Sequence, residues 1–437
     1  MSQPLRVGVA GLGTVGASVI RLLHRQADAL AQRTGRRILV TAVCARSRDR
    51  DRGLPPGERV WFDDPVALAR SPDIDLFVEL IGGDEGPAHL AVEAALESGH
   101  SVVTANKALL AKHGMALARL AEANHVALAF EASVAGGIPI VKTLREGLAG
   151  NSIERVYGIL NGTCNYILTR MEREELPFEV CLAEAQRLGY AEADPSFDIG
   201  GFDAAHKLAI LATLAFGVAI DSQAVHVEGI RSITLADIRW AGELGYRIKL
   251  LGVAQKTSLG VELRVHPTMV PISSSIAEVM GVTNAVTIDA DAIHELTLIG
   301  PGAGGNATAS AVVADIADIA KGVRSPPFGI PVAALETAPR TPMQRHEGGY
   351  YIRLSVFDRP GAFATIAGRM AERHISLESI VQRSRPGERR AAAAGASVPV
   401  VLITDATTET SIREALAAVV ADGYVAERPQ VIRIERE

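Results

Sequence analysis

The first third of the chain alternates short apolar runs with segments whose apolar residues recur at helical spacing. Continuous apolar runs of this kind are typical of buried parallel strands, and they occupy residues 5–10, 38–45, 75–80, 101–105 and 126–130. Helical spacing follows at 15–30 and again at 89–99. Strands that alternate with helices predict an α/β domain with a doubly wound parallel sheet over residues 1–135, and we expect residues 301–325 to complete it.

The pattern changes from about residue 136. Glycine and asparagine cluster at 158–166, an amphipathic helix and an acidic loop follow, and residues 261–270 resemble a longer antiparallel strand. We therefore predict an α+β domain for substrate binding, catalysis and dimerisation over residues 136–300. Prolines concentrated in residues 326–348 predict a linker. Residues 349–437 then begin a new unit of strand, turn, helix, strand, helix and strand.

Composition and charge exclude several classes of protein. The formal net charge of −6 disfavours a nucleic-acid or anionic-membrane partner, since both favour a basic surface. Three cysteines without metal-binding or disulfide spacing disfavour a zinc site or a disulfide framework. The longest apolar run, residues 208–220, is shorter than the ~20 residues that span a bilayer, so we expect a buried helix. The N-terminus lacks a signal-peptide layout, and the cytoplasm is the expected location.

A glycine-rich turn follows the first predicted strand directly. Gly11, Gly13 and Gly16 form a GxGxxG pattern between a strand and a helix. In this setting the first glycine allows a tight turn, the second lets a pyrophosphate approach the backbone, and the third lets the helix pack on the sheet. The helix N-terminus adds free N–H groups for the phosphates. The pattern indicates a Rossmann-type dinucleotide-binding domain; the alternative is an incidental glycine turn.

The end of the second strand indicates the type of cofactor. An enzyme that prefers NAD usually places an acid there to hold the ribose 2′-hydroxyl, but this chain continues with Arg46 and Arg48. Because Arg46 is suited to binding a 2′-phosphate, the sequence favours NADP, with NAD still open. The alternative is that both arginines are solvated loop charges.

An acidic loop precedes Lys207, a candidate catalytic lysine. Glu192, Asp194, Asp198 and Asp203 lie close together, and Lys207 follows Asp203 by four residues. On a helix these two residues share one face, and the apolar run after Lys207 predicts that the helix enters the core. A partly buried lysine with a lowered pKa suits protonation of the alkoxide that forms when a carbonyl is reduced. The alternative is an ordinary surface ion pair.

The signature that surrounds this lysine resembles that of homoserine dehydrogenases. The matching residues are Ala185, Gly189, Tyr190, Asp194, Pro195, Asp198, Ile199, Gly201, Asp203 and Lys207. Segments 79–83, 104–111, 131–140, 158–168 and 301–305 are similar to the same family and follow in the same order. The resemblance covers essentially the whole chain. It implies NAD(P)H-dependent interconversion of L-aspartate 4-semialdehyde and L-homoserine in the biosynthesis of threonine, methionine and isoleucine.

The resemblance also assigns roles to individual residues. It implies that Lys207 is the proton donor and that Asp203 and Lys107 complete the catalytic group. Substrate-binding residues would be Glu192, Asp198, Asp203 and Thr163. Cofactor contacts would come from Gly11, Gly13, Thr14, Val15, Gly16, Arg46, Lys107, Gly189 and Gly304. A sodium site would involve Glu131, Val134, Gly136 and Ile138, mostly through backbone carbonyls, and oxygen ligands suit such a hard cation. The alternative for Glu131 is a residue that caps the turn after its strand.

The last unit resembles an ACT domain, a βαββαβ module that binds amino acids. The resemblance rests on residues 358–363, a strand-to-helix turn, and implies an effector site that includes Asp358, Gly361 and Ala362. Its implied ligand is threonine, and its implied effect is feedback regulation. The chain departs from the pattern at Ala391–Ala394 and at Asp405, which stands where related enzymes often have a histidine.

Two other functions remain open at this stage. One is a Rossmann reductase that acts on a different amino-acid aldehyde. The other is an amino-acid sensor that has kept the fold and lost turnover, although the complete set of Lys107, Glu192, Asp203 and Lys207 disfavours it. Cys164, within the motif at 158–168, suggests an acylated thiol, but no histidine partner is evident and we interpret it as structural. Family analogy predicts a homodimer or homotetramer.

Overall fold

The structure of the chain is a computed structural model that describes residues 3–337, 339, 341–382 and 397–435. It contains two sheets. The first has six parallel strands in the order β3-β2-β1-β4-β5-β6, as the apolar runs predict for a doubly wound sheet. Its strands are β1 (Leu5–Ala10), β2 (Ile38–Cys44), β3 (Val60–Phe62), β4 (Leu76–Glu79), β5 (Ser101–Thr104) and β6 (Leu128–Ala129). Sequence analysis missed β3, an edge strand of three residues.

Helices cover this sheet and connect its strands. Two of them have clear sequence signals at their first turn: Asp64 accepts hydrogen bonds from Val66 N and Ala67 N, and Asn106 accepts one from Leu109 N. The helices are α1 (Thr14–Arg25), α2 (Ala27–Thr34), α3 (Pro65–Ala69), α4 (Pro87–Glu97), α5 (Lys107–Ala123) and α6 (Ile140–Lys142), which continues as a π-helical turn at Thr143–Gly147.

The second sheet joins the middle of the chain to its tail. It has eleven strands. Nine follow the order β12-β11-β7-β9-β10-β17-β13-β15-β14, and the other two pair beside this path, β8 with β10 and β16 with β13. The predicted long antiparallel strand at 261–270 is confirmed within β10, which pairs with β9 along its whole length. The strands are β7 (Ile153–Ile159), β8 (His226–Val227), β9 (Tyr246–Thr257), β10 (Gly260–Pro271), β11 (Thr283–Ala290), β12 (His294–Pro301), β13 (Glu347–Phe357), β14 (Leu377–Gln382), β15 (Ser397–Thr404), β16 (Thr407–Thr408) and β17 (Gln430–Ile434).

The remaining helices pack against this second sheet or return to the first. Within the described residues, the tail has the predicted βαββαβ order of β13, α13, β14, β15, α14 and β17. Helix α12 returns to the first sheet, where Val312 and Ile316 pack in the same apolar cluster as Val7 and Val9. The helices are α7 (Gly162–Glu174), α8 (Phe178–Arg187), α9 (Ser196–Ile199), α10 (Phe202–Phe216), α11 (Leu235–Glu243), α12 (Gly305–Ala320), α13 (Ala362–Glu372) and α14 (Glu409–Ala421).

The tail is joined to the rest of the chain by strand pairing. Strand β17 runs parallel to β10, with Thr268 opposite Arg433 and Met269 opposite Ile434. The proline-rich segment before the tail also packs on the body, where Phe328 and Val332 are buried. A shared sheet therefore links two units that the sequence pattern presents as separate. Ala391–Ala394 lies outside the described residues.

The apolar run at 208–220 lies in α10 as far as Phe216, and its first half forms the buried part of that helix, as expected. Leu208, Ile210 and Leu211 are fully buried in the main apolar cluster. In the part of the chain that the structure describes, no helix is both long and apolar enough to cross a membrane. The three cysteines, Cys44, Cys164 and Cys181, are buried and free.

Candidate active site

The first turns of α10 carry Asp203 and Lys207 on one face. The predicted pairing is confirmed: Lys207 Nζ lies 2.8 Å from Asp203 Oδ2 and donates a second hydrogen bond of 2.8 Å to the carbonyl of Leu160. Both side chains are largely buried, with 11% of Lys207 and 7% of Asp203 exposed. This burial excludes the alternative of a surface ion pair.

Asn161 ties this pair to the loop between β7 and α7. Its side-chain oxygen caps α7 by accepting from Cys164 N, which leaves the amide nitrogen free to donate elsewhere. That nitrogen donates to Asp203 Oδ2 at 2.8 Å and to Asp198 Oδ1 at 2.9 Å. Sequence analysis missed Asn161 as a functional residue, although the Asn-Gly-Thr-Cys-Asn cluster around it was a visible signal.

Lys107 approaches the same carboxylate from the other sheet. It is the first residue of α5, and its Nζ lies 3.1 Å from Asp203 Oδ1. Asn106, which caps α5, also donates to the carbonyl of Gly83 at 2.6 Å and so fixes the start of this helix. The Asp203 carboxylate therefore binds two lysines, Lys107 from α5 beside the first sheet and Lys207 from α10 beside the second. This group lies where the two units meet.

The two aspartates of this group have pKa values that move in opposite directions. Burial alone would raise the pKa of Asp203, but the charges of Lys207 and Lys107 overcome it and hold this pKa well below its ordinary value. Burial and the neighbouring charge of Asp203 raise the pKa of Asp198 above its ordinary value. Asp203 is therefore the fixed anion of the group, while Asp198 gains from any cation that binds beside it.

Three further predicted residues come from the first turn of α7 and from the loop after α8. Thr163 is buried, and its hydroxyl donates to the carbonyl of Tyr190 at 2.7 Å. Glu192 is exposed, and its backbone carbonyl accepts from Gln186 at 3.0 Å. Gly189 follows α8 with a φ of +76° and is exposed. Glu192 therefore does not contact the lysine–aspartate group within the chain, and its role in substrate binding stays a prediction.

The glycine turn after β1 has the shape that a pyrophosphate requires. Gly11 has a φ of +95°, and a Cβ there would lie 2.2 Å from the carbonyl oxygen of Leu80. A Cβ on Gly16 would lie 1.9 Å from the carbonyl oxygen of Gly11, whereas a Cβ on Gly13 would meet no atom within 4 Å. Two glycines thus allow close packing within the protein, and Gly13 leaves open space beside the N-terminus of α1.

The start of α12 borders the same space. A Cβ on Gly305 would lie 2.9 Å from Thr14 Cγ2, so Gly304 and Thr14 bring two helix N-termini together. Thr14 is exposed and Val15 is partly buried. Arg46 and Arg48 are exposed just beyond β2. Arg52, which sequence analysis missed, donates to the carbonyls of Leu12 and Ser47 and so ties this arginine loop to the glycine turn.

Glu79, in the segment 79–83 that resembles the homoserine dehydrogenase family, is another buried acid, and it supports the loop that follows it. Glu79 is fully buried at the end of β4 and accepts from Ile81 N, Gly82 N and Thr104 Oγ1 at 2.6–3.0 Å. These bonds shape the turn at 81–83 that contacts Asn106. Sequence analysis recognised the motif but missed that its glutamate organises the loop.

Glu131 is a buried acid that caps a helix. Its two oxygens accept from Val141 N and Lys142 N at 2.8 Å, so it caps the start of α6 and not, as the alternative expected, the turn after its own strand. Burial, together with the charge of Asp315, raises the pKa of Glu131 to about 7. Gly136 lies in the turn that follows, with a φ of +58°, and a Cβ there would lie 2.3 Å from the carbonyl oxygen of Gly302. Val134 and Ile138, on either side of Gly136, are both buried.

The predicted effector turn lies at the start of α13. Gly361 has a φ of +91° and precedes the helix, whose first residue, Ala362, is buried. Asp358 and Asp405 are exposed. The positive φ explains why a glycine occupies this turn.

Two remaining groups of reactive side chains have structural explanations. Cys164 is fully buried, its thiol donates to the carbonyl of Asp198, and burial raises its pKa well above the ordinary value, which agrees with a structural role. Glu85, His89 and His113 place one potential metal-ligand atom each within 4.8 Å of the others. Lys112 Nζ already lies 2.6 Å from Glu85 Oε1, and its positive charge disfavours a divalent cation there.

Comparisons with known proteins agree with this geometry along the whole chain. Residues 11–131 match the family described as homoserine dehydrogenase, NAD binding domain, residues 139–317 match homoserine dehydrogenase, and residues 350–421 match the ACT domain. The chain is 44% identical to a homoserine dehydrogenase of Neisseria gonorrhoeae over 99% of both sequences. Both comparisons give the same family for the dinucleotide sheet and for the lysine–aspartate group.

Solved structures show the same similarity in three dimensions. A homoserine dehydrogenase from Thiobacillus denitrificans is 43% identical and superposes with a TM-score of 0.91, covering 99% of this chain and 98% of that one. A hyperthermophilic archaeal homoserine dehydrogenase in complex with NADPH is 29% identical, has a TM-score of 0.62 and covers 72% of this chain and 97% of that one.

Proposed function

Because the chain belongs to the homoserine dehydrogenase family, and is thus an NAD(P)-dependent oxidoreductase that acts on a CH–OH group, we propose that it interconverts L-aspartate 4-semialdehyde and L-homoserine. In cells this reaction would serve the biosynthesis of threonine, methionine and isoleucine. The observation that carries the proposal is the buried group in which Asp203 holds Lys207 on one side and Lys107 on the other.

The lysines and acids of this group have separate roles in the proposed reaction. A bound nicotinamide supplies the hydride that reduces the aldehyde carbon. Lys207 donates a proton from Nζ to the alkoxide as it forms, while Asp203 and the carbonyl of Leu160 hold the ammonium in place. Lys107 lies beside the same carboxylate and would face both substrate and cofactor.

Substrate orientation depends on the acids around Asn161. Asp198, whose pKa is raised by burial and by Asp203, would receive the α-ammonium of the amino acid, and that positive charge would favour its ionised form. Glu192, from the loop after α8, and Thr163, from the first turn of α7, would complete the substrate site. Glu192 is exposed here, so this role requires its loop to close over the substrate.

We propose NADP as the preferred cofactor, with NAD as the alternative. The pyrophosphate would lie against Gly11, Gly13, Gly16, Thr14 and Val15, with Gly304 and Gly189 at its borders. Arg46 would bind the 2′-phosphate, because it is exposed beyond β2 and no acid occupies that strand end.

A sodium ion near Glu131 is part of the proposal and passes one test of fit. Glu131 and Asp315 are buried acids with raised pKa values of about 7 and about 6. The ammonium of Lys142 pairs with Asp315 and Asp318, whereas Glu131 accepts from the backbone N–H of Lys142. A monovalent cation would offset the remaining negative charge. Glu131, with the carbonyls of Val134, Gly136 and Ile138, would hold it, in a structural role away from the proton transfer.

The tail would make the enzyme sensitive to an end product. We propose that threonine binds at the turn formed by Asp358, Gly361 and Ala362 and lowers activity. We further propose a cytoplasmic homodimer or homotetramer. The domain limits that we propose are 1–135 for the cofactor, completed by 301–325, then 136–300 for catalysis, 326–348 for the linker and 349–437 for regulation.

The direct test is oxidation of L-homoserine by the purified full chain. NADP⁺ and NAD⁺ would be supplied separately and the reduced nicotinamide followed by its absorbance, with Lys207→Met as the matched inactive variant. Turnover that depends on both homoserine and Lys207 supports the proposal. Turnover only with another amino alcohol would indicate the related reductase, and binding of amino acids without any turnover would indicate a sensor.

A further inference from the structure

A large cavity lies between the tail and the catalytic unit, apart from the lysine–aspartate group and the glycine turn. Its volume is about 1150 Å³, and its walls are α9, residues 228–232, one face of α14 and the start of β17. Pockets for small organic ligands commonly measure about 300–1,000 Å³, so this one has room for such a molecule. None of Asp358, Gly361 and Ala362 lines it.

The charges in the cavity wall favour an anion. Four arginines and two glutamates line it. Both glutamates are already paired: Arg433 binds Glu228 and Glu409 at 2.9 Å, and Arg413 also binds Glu409 at 2.9 Å. Arg231 and Arg428 are exposed and form no salt bridge with any other residue that the structure describes, although the charge of Arg231 adds to the hydrogen bonds of Ser196 in lowering the pKa of Asp194. Two guanidinium groups are therefore available to a carboxylate, sulfonate or phosphate.

The opposite wall of the cavity is apolar. Ile412, Leu416 and Val420 project into it from successive turns of α14, and Ile199 and Val431 face them. Val420, at the end of this row, is 47% exposed. An anion with an apolar body would cover this surface while its charged group pairs with the arginines.

The cavity wall is in direct contact with the residue next to Asp198. Ile230 N donates to the carbonyl of Ile199 at 2.9 Å, and a Cβ on Gly229 would lie only 2.2 Å from the same oxygen. There is no slack between residues 229–230 and α9. A displacement of that segment would therefore reach Ile199 and, through the backbone, Asp198, which is hydrogen bonded to Asn161 at 2.9 Å.

We propose that this cavity is a ligand site for a small organic anion with an apolar body, and that its occupation raises the KM for homoserine by displacing Asp198. The second half rests on the proposed function, because it uses Asp198 as a substrate-binding residue. The site is distinct from the threonine site that we propose at Asp358, and the two can be occupied independently.

The binding half is tested with anilinonaphthalene sulfonate, an organic anion whose fluorescence increases in apolar surroundings. The full chain is titrated in saturating NADP⁺ and threonine, so that the nucleotide site and the Asp358 turn are already filled. We expect one site per chain, with a Kd that rises about tenfold or more in Arg231→Ala and in Arg428→Ala. Arg119→Ala, an exposed arginine outside the cavity, is the matched control.

Either of two titration results would overturn the binding half of the proposal. One is equal binding by all three variants, and the other is the absence of a stoichiometric site. A change of oligomeric state in Arg428→Glu, without any loss of probe binding, would also overturn it, because that would show a second copy of the chain against this face.

The coupling half is tested with the KM for homoserine, with and without the probe, using chromatography to quantify the NADPH produced. We expect a KM increase of several fold in the parent and in Arg119→Ala, and none in Arg428→Ala. Probe binding at an unchanged KM would refute the coupling. Lack of any turnover with homoserine would refute the proposed function but leave the result of the binding titration intact.

Discussion

Lys207 and Asp203 form a buried ion pair of 2.8 Å across one turn of α10. The pair has a geometric consequence, because the remaining Asp203 oxygen is free to bind Lys107 from the other sheet. One helix thus positions the proposed proton donor and also connects the substrate unit to the cofactor unit.

The first prediction concerns this lysine. Lys207→Ala should lower kcat by about two to four orders of magnitude, the usual effect of losing a general acid. The Kd for NADP⁺, measured by fluorescence quenching, should barely change because Lys207 faces Asp203 and Leu160. Lys256→Ala, at an exposed position of β9, is the control and should keep the parental kcat. Turnover of the Lys207 variant within a few fold of the parent would disprove the assignment.

Cofactor preference should depend on one of two neighbouring arginines. Arg46→Asp should shift the ratio of kcat/KM for NADP⁺ and NAD⁺ toward NAD⁺ by about tenfold or more, because an acid repels the 2′-phosphate and accepts from a 2′-hydroxyl. Arg48→Asp makes the same charge change two residues away and should leave the ratio nearly unaltered. Equal shifts in both variants would indicate that the overall charge of the loop, and not Arg46 itself, sets the preference. An unchanged ratio would show that Arg46 does not select the cofactor.

Substitution of Gly16 should affect the stability of the fold, whereas substitution of Gly13 should affect the binding of the cofactor. Gly16→Ala places a Cβ against the carbonyl of Gly11 and should lower the free energy of unfolding by about 1–3 kcal/mol. Gly13→Ala meets no protein atom, so its Tm without cofactor should match the parent, while its Kd for NADP⁺ should rise about tenfold or more. The idea fails if Gly13→Ala loses stability and keeps cofactor affinity.

Threonine should inhibit the full chain through the turn before α13. The expected coupling between threonine and substrate is ~1–3 kcal/mol, and linkage requires homoserine to change threonine affinity by the same factor. Asp358→Ala should weaken inhibition, whereas Asp405→Ala, also exposed in the tail, should not. Point variants are needed because removing the tail would strip β17 from β10. Inhibition of equal strength in both variants would show that threonine binds at a site that does not include Asp358.

The junction between tail and body should make stability depend on acid pH. The buried carboxylate of Glu435 is paired with Arg264, and although burial opposes its ionisation, Arg264 and Arg155 lower its pKa to about 2. Glu435 therefore stabilises the fold above pH ~4.5, and this contribution of about 3 kcal/mol is lost as the pH falls toward 2. Urea unfolding of the parent should show this loss between those pH values.

The matched variants for this junction are Glu435→Gln and Glu427→Gln. Glu435→Gln removes one of the two acids that pair with the buried Arg264, while Glu262 remains, and should cost about 1–3 kcal/mol at pH 7, with a flatter dependence on pH. Glu427 is exposed, and its variant should behave like the parent. A parent and a Glu435 variant with the same pH profile would show that this pair does not hold the tail.

The sequence by itself determined the parallel sheet, the glycine turn and the Asp203–Lys207 pair. Each of these depends on local periodicity: apolar runs for buried strands, glycines at fixed spacing, and two residues four apart on one helix. The roles of Glu131 and Asn161 were not determined in this way. Glu131 caps a helix that begins nine residues later, and Asn161 reaches Asp203 across forty-two residues.

Only the tertiary structure decided how the three parts of the chain meet. Lys107 and Asp203 are ninety-six residues apart, and β10 and β17 pair across an even longer separation, so no local pattern records either contact. The proline-rich segment before the tail has the composition of a linker, yet it packs on the body because Phe328 and Val332 are buried. The composition of a segment determines its local conformational preferences. Its burial and strand pairing depend on which distant surfaces the completed fold places beside it.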